Sequence, residues 1–178
     1  MHNKVKREDV RSIYEGHEVA AHTLTHPNLT EIPDKKEIIR QVEEDRVKLS
    51  ELCGYDVVGM AYPCGGVNYN AVVSEIIRKD TKIQYARTIV SNRNFSRQIN
   101  LYEFKPTVYC YEEFEEMFQL GKYFLNLKPE KTQIFYVWGH SYEFDMNDGW
   151  KRVGEFLEMM SGRTDICYCT NREALLDV

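Results

Sequence analysis

Short apolar runs alternate along this chain with longer amphipathic stretches, and that alternation limits the fold more than any other feature. The runs are Glu18–Ala21, Val57–Tyr62, Tyr85–Val90, Phe104–Cys110, Gln133–Trp138 and Ile166–Cys169. Each is of strand length, which predicts about six buried strands. Between them the spacing predicts helices. Asp34–Cys53 opens on Asp-Lys-Lys-Glu, a capping-box pattern, is apolar at Ile38, Val42, Leu49 and Leu52, and stops at Gly54. Asn68–Lys79 carries Val72, Val73, Ile76 and Ile77. Tyr111–Leu125 offers Phe114, Met117, Phe118 and Phe124, and Asn147–Met160 repeats Trp150, Val153, Leu157 and Met160. Strands alternating with helices predict an α/β fold with mostly parallel strands and outer helices, as an open sheet or a barrel.

A length of 178 residues suits one domain spanning 1–178, with no linker, repeat or low-complexity segment to divide it. Hydrophobic residues at 43% and charged ones at 29% describe a folded chain. A net charge of −5 gives no basic footprint for nucleic acid or an anionic membrane surface. No apolar run approaches the ~18 residues of a membrane span. The start, Met1-His-Asn-Lys-Val-Lys-Arg, has no apolar signal core, so the expected location of the chain as written is cytoplasmic, and it is left open if a further N-terminal segment exists. The five cysteines are odd in number and contain no Cys-x-x-Cys pair, which fits thiols in a reducing compartment. Cys167-Tyr-Cys169 should alternate across a strand and direct its thiols to opposite faces.

In such folds ligands bind at the C-terminal ends of strands, and three strand ends here carry chemistry. After Ala21 comes His22-Thr-Leu-Thr-His26, closed by Pro27, which keeps the pair out of a helix interior. Two imidazoles on a strand-to-loop turn can bend toward one point and ligate a metal. The second end is Met60-Ala-Tyr-Pro-Cys-Gly-Gly66. There Tyr62 or the turn itself can form a pocket wall and an oxyanion contact, though the same residues also make an ordinary strand-to-helix turn. The third is Val137-Trp-Gly-His140, followed by Ser-Tyr-Glu-Phe-Asp145. A histidine there suits general acid–base work, or simply packs beside Trp138 and Tyr142.

Taken together, these residues resemble the polysaccharide deacetylase family. Gly16-His-Glu-Val-Ala-Ala-His22-Thr-Leu-Thr-His26-Pro is similar to that family's His-(Ser/Thr)-x-x-His metal motif with its usual approach. Ala61-Tyr-Pro63-Cys-Gly65 stands where the family has Arg-x-Pro-(Phe/Tyr)-Gly, and Val137-Trp-Gly-His140 resembles its late Leu-x-x-His motif. The resemblance implies a (β/α) barrel and a hydrolase acting on the non-peptide C–N bond of an N-acetylated saccharide. It also implies a divalent metal, usually zinc, on His22 and His26, with His140 as general acid. Tyr62, Pro63, Cys64 and Trp138 would contact substrate, with a backbone N–H near Cys64 at the oxyanion.

The chain departs from the family pattern in specific places. The family's Thr-Phe-Asp-Asp-Gly motif, source of a third metal ligand and the general base, has no counterpart, and no Asp-Asp pair occurs in the sequence. Ala61 stands in place of arginine and Cys64 in place of an aromatic residue. Lys6–Tyr14 reads as the helix before the third strand of the family barrel, so the expected fold is an incomplete barrel lacking its first two strands. The expected function is an impaired metal-dependent deacetylase. The alternative is a catalytically silent carbohydrate-binding or assembly module that keeps the pocket. Two exposed sheet edges, with only Val10, Ile13 and Tyr14 as apolar cover from the first helix, lead us to expect a homo-oligomer.

Overall fold

The computed structural model describes residues 5–146 and 148–176, and forms a mixed α/β architecture of helices and small parallel sheets. Met1–Lys4, on which the signal-peptide reading partly rests, and Asn147, the expected start of a helix, lie outside the described residues. Two compact units are present. The first comprises the described residues of 1–88, 100–104 and 169–178, and the second those of 89–99 and 105–168.

In the first unit helix α1 (Val10–Ile13) follows a 3-10 turn at Arg7–Asp9. Helix α2 (Lys35–Cys53) then precedes β1 (Gly59–Ala61), and α3 (Ala71–Asp80) precedes β2 (Tyr85–Arg87). The boundaries of α2 follow local chemistry. Asp34 caps its start by accepting from Lys36 N–H at 2.9 Å, and Gly54 ends it in a left-handed conformation at φ 75°. Such a cap stabilises a helix by about 1 kcal/mol. The expected reciprocal bond of a capping box is replaced by another arrangement. The Glu37 carboxylate accepts from Arg40 and Gln41 instead.

β1 and β2 pair in parallel, Gly59 opposite Tyr85 and Ala61 opposite Arg87. Single parallel bridges extend this pair on both sides, from Ala21 to Met60 and from Arg87 to Phe104. Four chain segments thus lie side by side in sequence order. In the core of this unit Leu29, Val42, Val57 and Ile77 are fully buried, together with Ala86 of β2. A fully buried aliphatic side chain of this kind stabilises by about 1.5–3 kcal/mol.

The second unit holds β3 (Val108–Tyr109), α4 (Phe114–Leu125), β4 (Val137–Trp138) and α5 (Gly149–Met160). β3 and β4 pair in parallel, Val108 opposite Val137 and Tyr109 opposite Trp138. Phe114 and Met117 of α4 pack with Phe156 and Met160 of α5. Helix α6 (Asn171–Leu176), of the first unit, is the last described element.

The expectation of six strands is corrected to four among the described residues, in two sheets of two. Glu18–Ala21 pairs only through Ala21, because Val19 N–H donates to the Tyr55 hydroxyl at 2.9 Å rather than to a neighbouring strand. Ile166–Cys169 forms no strand. Cys167, Tyr168 and Cys169 are exposed, with no apolar face to bury, and the Tyr168 hydroxyl turns back to donate to the Met160 carbonyl at 2.6 Å. Two helix faces also differ from expectation. Val72 is 68% exposed on α3, and on α5 Trp150 and Leu157 face solvent while Phe156 is buried.

Candidate functional site

The two histidines of the first unit are brought together. The His22 and His26 rings meet edge to face, with centroids 4.8 Å apart. Helix α2 holds the loop that carries them. Asp45 accepts the His22 backbone N–H at 2.8 Å. One turn earlier, Gln41 accepts from Thr25 N–H at 3.0 Å and from the Thr25 hydroxyl at 3.2 Å, while its carbonyl accepts from Leu24 N–H at 2.9 Å. Gln41 is buried, which raises the cost of losing those bonds. The loop is strained. Thr23 and His26 stand at φ 69° and 59°, where side chains crowd the backbone. Such strain clusters at functional sites held by their surroundings.

His22 Nδ1 lies 2.8 Å from the Ala61 carbonyl, which accepts only if Nδ1 carries the proton. Nε2 is then left with its lone pair, the form a metal takes. Burial pushes the His22 imidazole below its ordinary value of 6.5, against the opposing pull of the Ala61 carbonyl. Nearby His26 and Arg87 lower it further, and Asp45 raises it. His22 is therefore neutral near pH 7, and His26 is exposed beside it. This donor pair fits a divalent metal with room for solvent ligands. Among the described residues, no three His, Cys, Asp or Glu side chains surround one point.

The turn after β1 lies in the same unit. Cys64 Sγ sits 3.8 Å from His26 Nδ1 and 3.5 Å from the His26 carbonyl. Fully buried Asn68 spans the turn from beneath, donating to the Pro63 and Cys64 carbonyls at 2.9 Å each and to that of Tyr62 at 3.4 Å. Pro63 is buried and Cys64 half-buried. Tyr62, expected as a pocket wall, is a core residue, 1% exposed. Its hydroxyl donates to the Tyr102 carbonyl at 2.8 Å, its ring stacks on Tyr69, and burial drives its ionisation far upward.

His140 and Trp138 belong to the second unit. Trp138 stacks on Tyr109 with centroids 4.6 Å apart and meets the His140 ring edge to face at 5.7 Å. The Glu143 carboxylate, 8% exposed, is the hub of this cluster. It accepts from His140 N–H at 3.0 Å and from the Tyr109 hydroxyl, and lies 3.2 Å from His140 Nδ1. With Nδ1 committed to Glu143, Nε2 is the nitrogen positioned to exchange a proton. Burial, and then the bond to Glu143, raise the Tyr109 hydroxyl above its ordinary range. Cys110 is pushed up to about 11 by burial and by the Glu143 charge.

Four positioning residues were not legible in the motifs. Gln41 and Asp45 carried one available signal, a polar pair four residues apart along a helix with Val42 between them. Asn68 follows the Pro-Cys-Gly-Gly turn that it clamps, and Glu143 sits three residues after His140, the spacing at which a carboxylate reaches back to a cap.

No curated protein and no solved structure matches this chain. A family model does, over the segment that carries His22, His26, Tyr62, Pro63 and Cys64; His140 and Trp138 lie beyond it. That segment, residues 2–85, matches the polysaccharide deacetylase family, and the resemblance read from its histidine motif stands.

Proposed function

We propose that this chain is a metal-dependent carbohydrate N-deacetylase domain of incomplete-barrel type, spanning 1–178, with an N-acetylated amino sugar as its substrate. One observation carries the reading: within the segment that matches the family, the His22 and His26 rings meet with centroids 4.8 Å apart, and His22 engages the Ala61 carbonyl through Nδ1, which leaves its Nε2 lone pair for a metal. His22 and His26 would hold a divalent ion, zinc by its preference for imidazole, which when bound supplies Lewis-acid polarisation of the acetamide carbonyl and of water. The backbone N–H groups of the turn at Cys64–Gly66 are suited to an oxyanion, since Gly65 and Gly66 leave the approach open. The general-acid role that the resemblance implies falls to His140 of the second unit, which Glu143 orients through Nδ1 and which is left to carry the proton at Nε2. Trp138, stacked on Tyr109, offers an aromatic edge to a sugar ring.

The chain carries no Asp-Asp motif to act as base, and losing a general base costs about 10²–10⁴-fold. Slow acetate release from N-acetylglucosamine oligomers is the expected outcome. The test is calorimetric zinc titration and acetate release by the wild type, His22→Ala, His26→Ala and His140→Ala. Metal uptake should fall in the first two variants and persist in His140→Ala. Equal uptake by all four proteins would overturn the metal assignment. Sugar binding with no acetate release would assign the silent carbohydrate-binding alternative instead.

A further inference from the structure

We propose that Cys64 is a third protein ligand of the metal, giving this chain a His22–His26–Cys64 donor set; this rests on the metal reading above. A thiolate and an imidazole sharing one tetrahedral zinc, with Zn–S near 2.3 Å and Zn–N near 2.0–2.1 Å, lie about 3.6 Å apart. Cys64 Sγ and His26 Nδ1 are 3.8 Å apart. The two residues come from different strand ends and meet through side chains and backbone alike, since Sγ also lies 3.5 Å from the His26 carbonyl.

The backbone supports the same pairing independently. Cys64 and His26 both adopt left-handed conformations, φ 66° and 59°, although neither is glycine. Asn68 fixes one turn through three carbonyls, and Gln41 fixes the other through Thr25 and Leu24. Two strained turns, each braced by a buried amide, thus present a thiol to an imidazole. In the geometry as it stands, no three such side chains among the described residues converge, so coordination takes a rotation of the Cys64 or His26 side chain. His26 is exposed and Cys64 half-buried, and rotamer changes of exposed side chains take picoseconds to nanoseconds. As the S–metal bond forms, the Sγ–H bond breaks and its proton passes to solvent, so binding strengthens as pH rises. A thiolate also selects zinc and cobalt over magnesium, manganese or calcium.

Cobalt(II) titration of the full chain tests this, because sulfur ligation gives a thiolate-to-cobalt charge-transfer band in the near ultraviolet. The wild type should develop that band to one equivalent. Cys64→Ser should lose the band and bind cobalt more weakly, by at least the roughly 10–100-fold that removal of an outer-shell partner costs. His22→Ala and His26→Ala should lose both band and binding. Cobalt bound by the wild type without the band, with uptake lowered by either histidine variant, would overturn the Cys64 proposal and leave the two-histidine reading standing. A band retained in Cys64→Ser would assign it to exposed Cys167 or Cys169 and also overturn the proposal. No uptake by any protein would overturn both. A second measurement needs no variant: zinc should slow alkylation of Cys64 in the wild type, read by mass spectrometry, and an unchanged rate overturns the proposal.

Discussion

Replacing Gly59 by alanine should unfold the neighbourhood of His22 from a distance. Gly59 faces Tyr85 across the β1–β2 pair, and a Cβ there would lie 2.7 Å from Tyr85 Cε2 and closer still to Cζ and Oη. Tyr85 is 1% exposed, and its hydroxyl donates to the Glu18 carboxylate, so the ring has little room to yield. Overpacking of this kind costs about 1–3 kcal/mol. Loss of a hydrogen bond to a charged group adds about 1.5–3 kcal/mol. The sum, about 2.5–6 kcal/mol, corresponds to a fall in Tm of roughly 5–24 °C for a chain of this size. The Gly59 carbonyl also accepts from Ala21 N–H at 2.9 Å, and Ala61 N–H donates to the Ala21 carbonyl at 2.9 Å. The strain should therefore reach His22 and weaken metal uptake together with stability. Circular-dichroism melts and zinc titration of Gly59→Ala measure both. A second variant, Gly59→Ala with Tyr85→Leu, makes room for the new methyl group, so the two substitutions should cost less together than the sum of each alone, with a coupling of about 0.5–3 kcal/mol. A single variant melting within about 2 °C of the wild type, a shift worth about 1 kcal/mol or less at this size, would refute the packing argument.

Three further outcomes are expected. His22 binds its proton less tightly in the folded chain than at its ordinary value of 6.5, so its contribution to stability is complete above that pH and is lost as pH falls through and below it; urea midpoints across this range should slope upward with pH, and His22→Gln should flatten the slope. Glu143→Ala leaves the Tyr109 hydroxyl and the His140 N–H without their carboxylate and should cost roughly 2–4 kcal/mol in urea unfolding, against about 1 kcal/mol for Glu143→Gln, which can still accept; equal costs would remove Glu143 as the hub. Light scattering should find a homo-oligomer that covers exposed apolar side chains such as Val72, Trp150 and Leu157, and a stable monomer at micromolar concentration would refute that expectation.

Local chemistry in the sequence determined several features. Asp34 and Gly54 set the ends of α2, because a cap needs only the neighbouring backbone. The positions of the four strands followed from apolar runs, and the parallel pairing from helices placed between them. The histidine pair was legible because its spacing and its closing proline are local, and the family match over residues 2–85 contains it. Tertiary structure decided the rest. A periodic stripe shows that a helix has an apolar face but not how much of it is covered, so Val72, Trp150 and Leu157 emerged on the surface. Tyr62 stands just past a strand end, and only packing against Tyr69 and the Tyr102 carbonyl turned it into the core. Asp45 and Gln41 reach the histidine loop from a helix, Asn68 clamps the turn that brings Cys64 to His26, and Glu143 joins His140 to a tyrosine 34 residues earlier in the chain. Which donor meets which acceptor depends on where backbone segments distant in sequence come to rest, and local residue patterns carry no record of that distance.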